Sequence, residues 1–503
     1  MSIKKIILIS GILLVANYVK GQNPDTDVYH EQYRPQIHFS PQAHWMNDPN
    51  GMVYYKGIYH LFFQYYPNGT TWGPMHWGHA ESKDMIHWKQ LPIALYPDSL
   101  GYIFSGSAVV DSNNTTGFGK NGKIPLVAIF THHDPKGEKA GTNNFQNESL
   151  AYSLDDGTTW IKYSGNPVLK NLGIKDFRDP KVMWYAPEHK WVMTLATHNR
   201  VTFFSSPDLK NWVKESEFGK QAGAHGGVWE CPDLFPLSLK GKTYWILIGN
   251  INPGGPNGGS ATQYFVGTFD GNKFTPIDNK IKWLDYGPDE YAGITWSNTG
   301  NRKIFLGWMS NWQYAGQVPT EKWRNAMTIP RELGLQDVNS TLYVTSKPVK
   351  ELTTIEQIPS GIKDSNTAIH LSAQSVFKLD INKINDYYII LSNDDGEQLV
   401  LGYNKTDNRY FIDRTKSGKV TFNPEFAKIA HAPRLISTES SNLELVIDAS
   451  SVELFADSGL TTMTALFFPR KSFNHLIIKG DSVKFYNIKI FSLKSIWENA
   501  KRP

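Results

Sequence analysis

Apolar residues along this chain recur in short runs divided by turn signals, a pattern that predicts strands rather than helices. Runs such as Trp191-Val192-Met193-Thr194-Leu195 and Tyr244-Trp245-Ile246-Leu247-Ile248 have the length of single strands. No long stretch carries the apolar spacing of an amphipathic helix. A small unit also repeats. Ser82-Lys83-Asp84 precedes Trp88, Ser153-Leu154-Asp155 precedes Trp160, Ser206-Pro207-Asp208 precedes Trp212, and Thr268-Phe269-Asp270 leads to Phe274 as a weaker copy. Each copy is a turn with a polar cap, followed by an aromatic that can pack between sheets. The intervals of roughly 50–70 residues hold one four-stranded sheet plus an insertion, so this part of the chain reads as a β-propeller.

After about residue 345 tryptophan almost disappears until Trp497, while strands continue. Ser375 to Leu379, Tyr387 to Leu391, Leu443 to Ile447 and Ser451 to Phe455 are separated by closely spaced turns such as Asn393-Asp394-Asp395-Gly396. That pattern predicts a β-sandwich. A chain of 503 residues also exceeds the usual limit for one hydrophobic core. The expected organisation is all-β: a propeller over 30–345, a linker over 346–366 and a sandwich over 367–496.

Lys4 and Lys5 followed by an apolar run from Ile6 to Ala16 read as a secretory signal over 1–21, cleaved near Val19-Lys20-Gly21. The run is too short to span a bilayer, and the leader has no cysteine to carry a lipid anchor. A secreted or periplasmic protein without a membrane span, and a monomer, is the expectation. Loss of three leader lysines lowers the formal charge from +4 to +1, which leaves no electrostatic case for nucleic acid. Cys231, the single cysteine, cannot form an internal disulfide.

Aromatics make up 13% of the chain and charged residues 19%, a balance that fits rings stacking on sugars and equally fits an aromatic β core. The candidate chemistry lies in three acids, each pinned by a nearby proline: Asp48 in Trp45-Met46-Asn47-Asp48-Pro49-Asn50-Gly51, Asp179 in Phe177-Arg178-Asp179-Pro180, and Glu230 in Glu230-Cys231-Pro232-Asp233. Any one Asp-Pro is most often a turn. Three in this order suggest glycosidic-bond chemistry, in which one acid protonates the leaving oxygen and a second carboxylate attacks or stabilises the anomeric carbon. His132-His133-Asp134 lacks further metal-ligand spacing and reads as a loop; the glycine-rich stretch 252–260 lacks the Lys-Ser/Thr of a phosphate loop. No metal and no cofactor is expected.

Together these motifs resemble glycoside hydrolase family 32, the fructan hydrolases and invertases, and the pattern is similar to bacterial levanases and exo-acting fructosidases. The runs His60-Leu61-Phe62-Phe63-Gln64, Trp72-Gly73-Pro74-Met75-His76-Trp77, Phe104-Ser105-Gly106-Ser107 and Leu306-Gly307-Trp308-Met309-Ser310-Asn311-Trp312 match as well. The resemblance implies a five-bladed propeller with a C-terminal β-sandwich. It implies Asp48 as nucleophile, Glu230 as acid/base and Asp179 as stabiliser of the transition state. It places Asn47, Gln64, Trp72, Phe104, Ser105, Arg178 and Trp312 around the sugar, with Trp45 and Tyr291 as weaker candidates. Arg178 is expected to contact fructosyl hydroxyls or to hold Asp179. The implied activity is retaining hydrolysis of terminal β-D-fructofuranosyl units of levan, inulin or sucrose. An endo-acting levanase is the alternative, with a fructosyltransferase and a non-catalytic fructan binder behind it. A fructan or fructo-oligosaccharide is the expected partner.

Overall fold

The computed structural model describes residues 28–361, 368–480 and 483–497. The expected signal segment and residues 362–366 of the expected linker lie outside them. Five sheets, each with four main strands in simple up-and-down order, make the N-terminal domain. Their innermost strands are His44–Tyr55, Tyr102–Val110, Phe177–Tyr185, Val228–Leu239 and Tyr291–Thr295. Closure is by backbone: His44 and Trp45 pair in parallel with Trp323 and Arg324, and Val53 bridges Ser297 of the fifth blade.

Apolar layers between neighbouring blades hold the ring together. Phe62, Trp77 and Phe130 lie between blades one and two, and Ile129, Leu150 and Met193 between two and three. Phe203, Leu247 and Phe265 join three and four, Ile248 and Phe305 join four and five, and Leu61, Trp296 and Ile304 close five onto one. Removal of these side chains from water is the main favourable term in such a fold. The repeated Ser-x-Asp units are the turns between third and fourth strands. In the first three blades the serine hydroxyl donates to the aspartate, at 3.0, 2.8 and 3.2 Å. Trp88 stacks on Trp296 and Trp160 meets Phe62 edge-on. The fifth blade turns at Asn339-Ser340 without the unit, so the repeat marks four of the five blades.

The fifth blade runs on to Pro348, and Ser360–Gly361 already pairs with Phe485–Ser492 of the next domain. The connection is therefore shorter than the compositional change implied, because a drop in tryptophan does not locate the last strand. Two six-stranded antiparallel sheets form the C-terminal sandwich around Phe377, Leu379, Leu401, Leu445, Leu454 and Leu476.

The two domains share a core, in which Val376, Val446, Phe455 and Trp497 pack with blade residues. A buried ionic cluster crosses the same interface. Arg331 of the fifth blade pairs with Asp285 at 2.8 Å and with Glu453 of the sandwich. His38 sits between Asp448 and Glu453, at 2.7 and 2.8 Å. Burial opposes charge on His38, but the two carboxylates push it up to about 9.

Candidate active site

All five innermost strands are interrupted at one level of the central channel. Three steps along the inner strand match two along its neighbour from Met46 to Pro49, Ile103 to Gly106, Arg178 to Lys181, Glu230 to Asp233 and Tyr291 to Ile294. A β-bulge of this kind re-aims side chains and breaks the ladder locally. Pro49, Pro180 and Pro232 lie within or beside the bulges, where a missing N–H costs no ladder bond. Asp179, Cys231 and Ala292 take the left-handed backbone needed there, with φ of 65°, 41° and 55°. Gly51 has φ of 57° and packs so close to Phe62 and Trp77 that a Cβ would reach within 2.6 Å of a ring carbon.

The bulges empty into one pocket of about 280 Å³, lined by Asn47, Asp48, Gln64, Trp72, Phe104, Ser105, Arg178, Asp179, Glu230 and Trp312 among others. Asp48 accepts from Asn47 Nδ2 at 2.8 Å and from Ser105 Oγ, on the second blade, at 2.7 Å. Burial, and then the Glu230 charge, raise the Asp48 carboxyl, while the Asn47 and Ser105 donors pull it back. Glu230 accepts from Tyr291 O–H and from Arg178 Nη2 at 2.9 Å. Asp179 accepts from Cys231 N–H at 3.0 Å. Burial lifts Asp179 to about 7; Arg178 opposes this, while Glu230 and Asp48 reinforce it.

Several expected residues stand in other relations than the sequence suggested. Trp45 is 1% exposed and does not line the pocket; its indole N–H donates to Asn47 at 2.8 Å and its ring stacks on Trp312. Tyr291 is likewise buried behind the wall and reaches the site through Glu230. Arg178 bonds Glu230 and Asp176, and its nearest approach to Asp179 is 3.9 Å, so it holds the acid of the fourth blade more closely than its own neighbour. Gln64 is almost fully buried at the pocket wall, and its amide nitrogen has no protein partner there.

Glu138, Phe145, Gln146, Lys175 and Asp176, which were not singled out from sequence, also line the pocket, as does His133, which was read there as part of a loop. His132 and His133 end a strand rather than lie in a loop. His133 stacks on Phe104 at 4.2 Å and bonds Glu138 at 3.0 Å. Among the described residues no group of three or more His, Cys, Asp or Glu side chains is arranged to hold a metal ion.

Three carboxylates at the mouth of a five-bladed propeller, walled by aromatics, define a glycoside hydrolase. Residues 38–346 match the Glycosyl hydrolases family 32 N-terminal domain and residues 339–492 the Glycosyl hydrolases family 32 C-terminal domain, and the chain belongs to that family. It is 44% identical to a levanase from Bacillus subtilis over 98% of this chain and 75% of that one. It is 40% identical to an extracellular exo-inulinase from Aspergillus ficuum over 93% and 96%. Among solved structures, an exo-inulinase from Aspergillus awamori superposes with a TM-score of 0.86 at 38% identity, covering 93% of this chain and 100% of that one. A fructofuranosidase from Schwanniomyces occidentalis complexed with fructosylnystose gives 0.84 at 32%, covering 94% and 99%.

Proposed function

We propose that this protein is a secreted, retaining β-fructosidase that releases terminal fructose from fructans. The observation that carries the reading is the convergence of Asp48, Asp179 and Glu230, from three different blades, on one small aromatic-walled pocket. In the first step an Asp48 oxygen attacks the anomeric C2 of the terminal fructofuranosyl unit, the C2–O bond to the leaving sugar breaks, and Glu230 gives its proton to the departing oxygen. Water then attacks C2, Glu230 takes its proton, and Asp48 leaves as the carboxylate. Asp179 faces the positive charge that develops on the ring. Trp72, Phe104 and Trp312 wall the furanose, Gln64 and Ser105 meet its hydroxyls, and Asn47 and Arg178 orient Asp48 and Glu230. Trp45 and Tyr291 act one layer further out.

Fructans as substrate are supported by the relatives, a levanase and exo-inulinases among them. Terminal cleavage is supported by the size of the pocket, about 280 Å³, and by Lys181 and Asp233 filling the channel below it. Secretion is supported by the extracellular exo-inulinases, and among the described residues no helix is long and apolar enough to cross a membrane. A monomer is the working state. The test is a product time course on levan, with inulin and sucrose in parallel. Fructose alone from the earliest points is expected; an early ladder of oligosaccharides would make the enzyme endo-acting.

A further inference from the structure

The central channel has a second mouth. The strands that present Asp179 and Glu230 run on past the acids to Tyr185 and Leu239. Their far ends line a separate pocket of about 320 Å³, as large as the catalytic one. Between the two pockets the channel is filled by Lys181, whose ammonium donates to Thr295 O and lies 3.4 Å from Asp233 Oδ2. No catalytic residue lines the far pocket, so it is a distinct site on the opposite face.

Its chemistry is specific. Trp184 and Trp245, on adjacent blades, are partly exposed at its rim. Asp233 is fully buried on its wall, and while Oδ2 takes Thr295 N–H and O–H, Oδ1 has no partner. Oδ1 is closed off from the pocket, so Asp233 sets the charge beneath the wall rather than contacting a ligand. Lys303 adds an ammonium, and Asn298, whose amide nitrogen is committed to Tyr54 O at 2.8 Å, leaves a carbonyl acceptor. Donors and acceptors mixed between indole faces suit a polyol ring, whose hydroxyls do both and whose C–H face packs on tryptophan.

We infer that the far mouth binds a second segment of the saccharide substrate, with a neutral sugar ring against Trp184 and Trp245 and hydroxyls directed to Asn298 and Lys303. The inference rests on the fructan reading above. A polymer anchored there stays near the enzyme between cleavage events, which raises its effective concentration at the catalytic mouth.

The experiment is native electrophoresis through a levan-containing gel, with an Asp48→Ala background to stop hydrolysis. Adding Trp245→Ala or Lys303→Gln is expected to lower the retardation about threefold, the loss of one modest stacking or hydrogen-bonding contact. With Asp48 intact, the same two variants are expected to turn over sucrose like the unaltered enzyme, because sucrose is too short to reach both mouths. Unchanged retardation in Lys303→Gln, or sucrose turnover that falls in parallel with retardation, would overturn the inference. Should Trp245→Ala fail to fold, Lys303→Gln alone decides. Failure of the unaltered enzyme to cleave levan would instead sink the fructan reading, a separate readout.

Discussion

The backbone N–H of Cys231 donates to Asp179 Oδ2 at 3.0 Å, so the bulge of the fourth blade holds the carboxylate presented by the bulge of the third. Both residues have positive φ, and neither conformation would persist without the other strand in place. Asp179→Asn keeps the shape and removes the charge. Its kcat/KM on sucrose and levan should fall about 10²–10³-fold, the usual cost of one electrostatic stabiliser. Full activity in a folded variant would remove Asp179 from the mechanism.

Glu230→Ala should lose about 10²–10⁴ in kcat, the range of general acid–base catalysis. On a fructoside whose leaving group departs without protonation, azide, which needs no base in the second step, should recover turnover and give a fructosyl azide of retained configuration. Asp48→Ala should lose turnover and give no retained azide product. NMR of the product anomer reads both, and retained product from Asp48→Ala would contradict the assignment.

Ser105→Ala deletes a hydrogen bond that favours the Asp48 anion. The acid limb of kcat/KM, lost as pH falls and Asp48 takes up a proton, should move to higher pH, since a hydrogen bond that favoured the anion is gone. A limb that stays in place or moves to lower pH would show that Asp48 does not govern it.

Glu148 is fully buried on the second blade and accepts from Thr131 Oγ at 2.8 Å, which in turn accepts from Asp179 N–H at 3.0 Å. Its other oxygen has no partner. Burial first, and then the Asp179 charge, push its carboxyl well above the ordinary range, against the pull of Thr131. The folded state therefore holds this proton more tightly than the unfolded chain does. Stability from it is full below the ordinary carboxylate value and is lost as pH rises. Glu148→Gln should match the parent in Tm at acidic pH and exceed it near neutrality, by roughly a degree for each kcal/mol gained in a chain of this length. A constant Tm difference across pH would refute the titration.

Glu453 receives Arg331, His38 and the N–H of Ile329. Arg331→Met leaves Asp285 buried without its cation and Glu453 with His38 alone as a cationic partner, at a cost of about 3–5 kcal/mol. Calorimetry should show a lower Tm, with the sandwich and propeller losing their common transition. An unchanged Tm would mean the cluster contributes no net stability.

Much of this was legible in the chain. The Ser-x-Asp turns located four blades because a capped turn followed by an aromatic is a local device, and the three proline-pinned acids marked three bulges because proline tolerates a broken ladder. Trp45 and Tyr291 were read as sugar contacts because sequence gives residue type but not depth; packing places both rings one layer behind the wall. Arg178 lies beside Asp179 in the chain, yet bonds Glu230, 52 residues away, because the bulge at 178–181 re-aims both side chains into the pocket, where the fourth blade meets them.

The sequence by itself determined the strands, the turns between them and the chemical groups available, because these depend on alternation, proline and glycine geometry, and side-chain type over a few residues. Only the tertiary structure decided which groups meet. Ring closure brings five bulges to one level, turns Asp48 toward Ser105 and Glu230 toward Tyr291 and Arg178, and leaves one oxygen of Asp233 without a donor. Those relations join residues dozens to hundreds of positions apart, and they are fixed by how apolar blade faces pack rather than by any local preference.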